Sequence, residues 1–314
     1  MFAAAAALPV LAQDPAAAYP QRPIRIVIGY SAGGGVDIVP RIVVGRLTAK
    51  WGQPFLVENR PGASGHIATE IVAKAAPDGY TLLAVPPAFA TTPLLFGALP
   101  FDPDAFMPIS VLVSQANALV AHPGRRPDVR TFQDLVAAAK ARPGALNYGS
   151  AGNGGSQHLS MELLKMLAGL QITHVPYKGG AVVTGLLSGD VDVGIYTVGG
   201  LLPHIKSGRL RALAVGGARR NPALPEVPTF GELMPGMVSA TWFAMLAPPK
   251  TPDGIVAKLN AAIVEALRQP EVQKRLAELH ADIIGNSPGE AAAFIRDEKR
   301  RWGEVIRAAN IKPD

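Results

Sequence analysis

Apolar positions along this chain recur in two alternating rhythms. Residues 24–30, 55–58 and 80–85 are short β-branched runs that predict strands. Between them Val36, Val39, Ile42, Val43 and Leu47 return at helical spacing, with Pro40 in the first turn, and Ile67, Ile71 and Val72 do the same. Repeated strand, loop and helix is the pattern of a parallel sheet covered by helices. The cycle restarts after residues 102–104. Residues 109–113 and 118–121 form two apolar runs, and residues 131–141 predict a helix that Thr131 caps ahead of Asp134. Strands at 147–149, 173–177, 191–196 and 210–215 alternate with helices marked by Leu159, Leu163, Met166 and Leu167 and by residues 181–187. The proline-rich stretch 221–228 breaks the pattern, and residues 256–268, 270–279 and 288–309 are helical.

Two similar α/β units therefore lie in tandem, with one long sheet as the competing architecture. The C-terminal segment has few strands of its own and packs most easily on the first unit. This divides the chain into lobe 1 (residues 20–112 plus 220–314) and lobe 2 (residues 113–219), with crossings near 111–119 and 214–221.

Composition narrows the classes. The 314 residues suffice for two domains of roughly 150 each. With 48% apolar and 17% charged residues, the chain can bury a large core. The 33 glycines and 29 prolines imply many tight turns. The net charge of +6 is scattered. Its densest cluster, Lys299-Arg300-Arg301, is flanked by Asp297, Glu298 and Glu304 and reads as a solvated helix face, so no nucleic-acid partner is expected. The absence of cysteine excludes disulfides, thiolate metal sites and a cysteine nucleophile. Residues 2–12 are alanine-rich and apolar and end at Val10-Leu11-Ala12 before Gln13-Asp14, which resembles the end of a secretory signal and its cleavage site. Residues 1–12 are accordingly expected to be the remnant of a signal peptide of an exported protein.

Enzyme motifs fail one by one. Gly33-Gly34-Gly35-Val36-Asp37-Ile38 lacks the third glycine of a dinucleotide loop, and no P-loop is present. Gly62-Ala63-Ser64-Gly65-His66 misses the nucleophile-elbow spacing, and the six histidines contain no His-x-x-x-His pair, so neither a metal nor a cofactor is expected. What remains is four glycine-rich loops, residues 31–37, 62–66, 150–158 and 178–181, each following a strand and opening a helix. The first amides of a helix lack internal partners and carry the positive end of its dipole, so such loops bind anions without a charged side chain. Lys178 is the one full positive charge among them, which suits a carboxylate. Asp37 reads as a helix-start residue holding its loop, Ser64 and Ser156 as helix caps before ligand donors, and His158 as a surface or capping residue. Trp242-Phe243 reads as core or hinge packing, and residues 87–91 as a loop whose Phe89 walls the site or points into the lobe. The rival from another class is a two-lobed lyase or esterase acting on a small carboxylate through Ser64 or Ser150, with a distant histidine as base.

The same loops sit inside longer blocks. Tyr19-Pro20-x-Arg22-Pro23-Ile24-Arg25, Ala32-Gly33-Gly34-Gly35-x-Asp37, Val57-Glu58-Asn59-Arg60-Pro61-Gly62-Ala63-x-Gly65 and Ala76-Pro77-Asp78-Gly79-Tyr80-Thr81-Leu82 open the series. Tyr148-Gly149-Ser150-Ala151-Gly152-Asn153-Gly154, His174-Val175-Pro176-Tyr177-Lys178-Gly179-Gly180 and Pro248-x-x-Thr251-Pro252 complete it. In that order these resemble the Bug-type periplasmic solute-binding proteins of tripartite tricarboxylate transporters. The resemblance implies a two-lobed, type II (Venus flytrap) periplasmic-binding-protein fold, with a mainly parallel sheet flanked by helices in each lobe. It also implies no catalysis, a periplasmic location, permease subunits as partners, a monomer, and a small organic carboxylate between the lobes. Carried over, the ligand-binding residues are Ser31, Gly33, Gly34 and Asp37 from one lobe, and Ser150, Gly152, Asn153, Gly154 and Ser156 from the other. Tyr30, Ser64, Ala88, Thr91, Ala151, Lys178 and Tyr196 complete the set. Ser31, Pro40 and His66 depart from the usual pattern, and the apolar segment 86–91 points to a ligand with an apolar or aromatic body, a dicarboxylate being the other expectation.

Overall fold

The computed structural model describes residues 16–312, so the expected signal remnant lies outside the described residues. The chain begins as three strand–helix units. β1 (Ile24–Ile28) leads to α1 (Gly35–Trp51), β2 (Phe55–Asn59) to α2 (His66–Ala73), and β3 (Thr81–Val85) to α3 (Ala88–Phe96). β4 (Met107–Ala121) follows, then α4 (Phe132–Ala141), β5 (Asn147–Ser150), α5 (Ser156–Ala168), β6 (Thr173–Pro176) and α6 (Ala181–Ser188). β7 (Val193–Thr197), α7 (Val198–Lys206), β8 (Arg211–Val215) and the short α8 (Phe230–Leu233) come next. β9 (Ala240–Ala247), α9 (Asp253–Leu267), α10 (Pro270–Glu278), β10 (Ala281–Ile283) and α11 (Pro288–Ala308) complete the order.

Two groups of strands form around parallel cores: β2-β1-β3, and β6-β5-β7. β4 serves both. At 15 residues it reaches about 50 Å, long enough to cross the molecule. Residues 107–116 pair antiparallel with β9, whereas residues 117–121 pair with β7 and β8, so the partner changes between Ala116 and Asn117. The sheet is thereby continuous across two lobes, a feature of each architecture weighed from the sequence. The separate runs 109–113 and 118–121 are one strand. Ser114, Gln115 and Asn117 interrupt its apolar pattern because they lie at the changeover, where Gln115 Nε2 donates to the Leu279 carbonyl (2.9 Å) and Asn117 Nδ2 to Ser239 Oγ (3.2 Å).

Capping fixes several helix starts, that of α4 as the sequence predicts. Thr131 and Asp134 close a capping box on α4, and Ser287 and Glu290 close one on α11. Other starts differ. Residues 88–91 are the first turn of α3 rather than a loop, because Phe89 and Ala90 are buried against Val85 and Phe106. Phe89 therefore belongs to the core, edge-on to Phe106 at 5.7 Å. Pro40 stands in the second turn of α1, where it leaves the Val36 carbonyl without its usual amide donor.

One core gathers α1, α9 and α10 on the first sheet group, and another gathers α4 and α5 on the second. Each fully buried Leu or Ile in them contributes roughly 1.5–3 kcal/mol. Phe230 and Met237 pack with the second core, as do Trp302, Val305 and Ile306 at the end of α11, while Ala291 at its start packs with Val27 and Trp242. α11 thus straps both. Its buried Glu298 accepts from the indoles of Trp242 and Trp302 (both 2.9 Å) and from Arg301 (2.7 Å). Among the described residues no helix is long and apolar enough to cross a membrane.

Candidate functional site

The first glycine loop joins β1 to α1. Asp37, buried in the first turn, turns its carboxylate back on the loop. Oδ2 accepts from the Gly33 amide (3.0 Å), and Oδ1 accepts from Arg41 Nε (2.9 Å) and Asn59 Nδ2 (3.0 Å). Asn59 also donates to the Tyr30 carbonyl (3.0 Å), which ties the end of β2 to the same loop. Burial opposes the charge on Asp37, but the Gly33 amide, Asn59 and Arg41 outweigh it and hold the carboxyl below its usual range. Asp37→Ala should lower stability by about 2 kcal/mol, since Arg41 is partly exposed and can return to water while the loop amide cannot. Urea denaturation checks this, and an unchanged midpoint would remove Asp37 from that role.

Ser31, Gly33 and Gly34 stand exposed on the loop, and a Cβ on Gly34 would meet nothing within 4 Å. Ser64 is in a left-handed conformation (φ 53°), its carbonyl accepting from the Tyr30 hydroxyl at 3.0 Å, and it caps nothing, since Gly65 is the N-cap residue of α2. Burial raises the Tyr30 phenol well above its ordinary value.

The second loop joins β5 to α5 and rests on a stack of rings. Ser150 Oγ is 2.7 Å from His174 Nε2 and also accepts from the Gly152 amide at 3.2 Å. The Gly154 amide donates to His158 Nδ1 at 3.0 Å. The two imidazoles lie nearly parallel, 3.9 Å apart, and Tyr148 stacks on His174 at 4.8 Å. Beneath them Glu162 accepts from the Tyr148 hydroxyl and from Lys165, both at 2.6 Å. Burial, aided by Lys165, pushes His158 down to about 4. An acceptor at Nδ1 requires the neutral ring, which burial also favours. His158 is therefore not a surface residue; buried in the first turn of α5, it holds the amide just ahead of the helix.

The two helix starts meet at β9. Gly35 opens α1 so close to Phe243 that a Cβ there would stand 2.5 Å from the ring and 3.3 Å from Gln115 Oε1. Ser156 opens α5 and shares a hydrogen with Thr241 Oγ1 at 2.7 Å, so it caps nothing; Gly155 is the N-cap residue. Thr241 and Phe243 are two residues apart on one strand and point to one face. Both positive helix ends thus abut the same face of β9, beside the changeover in β4.

The remaining candidates gather around the second loop. Thr91 Oγ1, in the first turn of α3, reaches the Ala88 carbonyl (3.2 Å) and the Gly154 carbonyl (3.3 Å). The Ala151 carbonyl accepts from the Gly179 amide at 3.1 Å, which sets the loop of residues 178–181 alongside. Lys178 is exposed there, Asn153 is partly exposed, and Tyr196 lies half-buried beneath Gly180. Sequence reasoning missed the roles of His174, Gln115 and Thr241 and the burial of His158. His174 stands inside a motif block, yet nothing local pairs it with Ser150. Among the described residues no group of three acidic or histidine side chains could hold a metal ion.

Residues 39–311 match the family model of TctC, the tripartite tricarboxylate transporter family receptor. The chain belongs to this family. Protein BugT of Bordetella pertussis is 36% identical to it over 302 residues, which cover 94% of this chain and 91% of BugT. A protein of R. palustris solved with adipate superposes with a TM-score of 0.84 at 35% identity, covering 94% of this chain and all of that one. MatC from Rhodopseudomonas palustris, solved with bound malate, superposes at 0.79 with 32% identity over 92% of this chain and all of MatC. The two-lobed periplasmic-binding-protein architecture and the receptor role of TctC proteins therefore hold for this chain.

Proposed function

We infer that this receptor captures a small organic dicarboxylate between its lobes, in the periplasm, and delivers it as a monomer to the permease subunits of a tripartite tricarboxylate transporter. One observation carries the reading: two glycine loops, each opening a helix at its N-terminus, abut one face of β9. Adipate and malate in the related structures are both dicarboxylates, which supports the same ligand class here. Phe89 lies in the core, so it gives no reason to expect an aromatic ligand body. We propose the lobes read from the sequence, with residues 224–237 moved to lobe 2 because Leu224, Val227, Phe230 and Met237 pack there. Ligand closure then draws affinity from contacts to both lobes at once. The ligand set is the one carried over from the family blocks, with Asp37 holding its loop rather than facing an anion.

Ser150 and His174 at 2.7 Å favour a second reading, a nucleophile and base of a hydrolytic enzyme. Against it, Ser150 is wholly buried and its hydroxyl also takes the Gly152 amide, which leaves no approach for a reacting carbonyl. Incubation with a dicarboxylate monoester and mass spectrometry for the free acid separates the two.

The binding reading is tested by calorimetric titration of adipate and malate into wild type, Ser150→Ala and Gly34→Val. Both variants should keep the wild-type circular dichroism spectrum, since Gly34 has open space around it. Both should bind about tenfold more weakly, Gly34→Val by crowding the ligand and Ser150→Ala by releasing the Gly152 amide that the buried hydroxyl holds in place. Unchanged affinity in both variants would remove these loops from the site.

A further inference from the structure

The densest basic run in the chain is drawn apart by the helix that carries it. Arg301 turns toward the buried Glu298, whereas Arg296, Lys299, Arg300 and Arg307 share the opposite side of α11 at spacings of three, four and seven residues. That side walls a cavity of about 610 Å³. Its floor is apolar, made by Phe106, Leu246 and Ile295, and Leu94 of α3 also lines it. Lys299 is paired with Asp104 (2.5 Å) and Arg300 with Asp297 (3.1 Å), but Arg296 and Arg307 have no acidic partner among the described residues. Two unneutralised guanidinium groups over a carbon floor are the complement of an amphipathic anion. The volume falls within the range of small-molecule sites, about 300–1,000 Å³.

We propose that this groove is a second binding site, separate from the interlobe loops, for an amphipathic monocarboxylate with an alkyl body. The chain lies on the floor and the carboxylate meets the arginines of α11. α3 divides this site from the other: Thr91 and Leu95 face Gly154, and Leu94 faces the groove. The two ligands therefore do not compete. Each methylene added to the ligand should tighten binding about fourfold while the floor lasts.

The test is calorimetric titration of hexanoate and octanoate, with octyltrimethylammonium as the charge control. The proteins are wild type, Arg296→Ala/Arg307→Ala and Ser150→Ala. The expected result is saturable one-to-one binding of octanoate, tighter than hexanoate, unaffected by Ser150→Ala and about tenfold weaker in the double arginine variant. Both arginines are exposed, so that variant folds. Four results would each overturn the proposal: no saturable binding, equal affinity for the ammonium probe, equal affinity in the arginine variant, or loss confined to Ser150→Ala. The last would place octanoate at the interlobe loops.

Discussion

Gly216→Ala should destabilise the fold by about 3 kcal/mol or more, at the upper end for a single substitution. A Cβ at this position would fall inside the Ser239 carbonyl oxygen and stand 3.2 Å from the Asn117 amide nitrogen. Both obstacles are backbone, so no side chain can swing away. They are also engaged: the Gly216 amide donates to the Asn117 carbonyl (2.6 Å), and the Asn117 amide donates to the Ser239 carbonyl (3.2 Å). Three segments cross here, namely the changeover in β4, the exit from β8 and the entry to β9. Making room for one methyl group must part the ladder that joins the lobes. The measurement is the urea midpoint, with Gly45→Ala as control. Gly45 lies in α1 with nothing within 4 Å of a Cβ, so alanine there should stabilise slightly. A wild-type midpoint for Gly216→Ala would show that the crossing is loose.

The second large effect is acid destabilisation through His158. Its folded value near 4 lies below the ordinary 6.5, so between these pH values the unfolded chain holds a proton that the folded chain refuses. Its stabilising contribution is therefore complete above about pH 6.5 and is lost as the pH falls toward 4. The total is about 3 kcal/mol. Protonation would turn Nδ1 into a donor aimed at the Gly154 amide and place a charge on a ring stacked against His174. His158→Asn keeps an acceptor for that amide and does not titrate. Denaturation curves from pH 7 to 4 should show wild type losing about 3 kcal/mol more than the variant, the part above pH 5 being freest of carboxylate protonation. Parallel losses in the two proteins would exclude His158 as the source. His66, whose value burial also lowers, is present in both and cancels.

Much of this molecule was legible locally. β1 follows from alternating β-branched residues, α4 from Thr131 and Asp134 three positions apart, and the four anion-type loops from glycines between a strand and a helix. The ordered motif blocks carried the family. Local reading failed where a neighbour distant in sequence outweighed the local signal. Pro87 and Pro93 argue against a helix, yet burial of Phe89 and Ala90 sustains α3. Ser156 has the composition and place of a cap, yet its hydroxyl is drawn to Thr241, 85 residues on.

The chain by itself determined most of its strands and helices and which glycine loops join a strand to a helix N-terminus. Those outcomes depend on sterics, periodicity and capping within one or two turns. Only the tertiary structure decided that His174 meets Ser150, that Glu298 joins two tryptophans, and that α1 and α5 open onto one face of β9. Such partnerships depend on which sheet faces are brought together, and a polar side chain taken from water bonds to whatever donor or acceptor that burial places beside it.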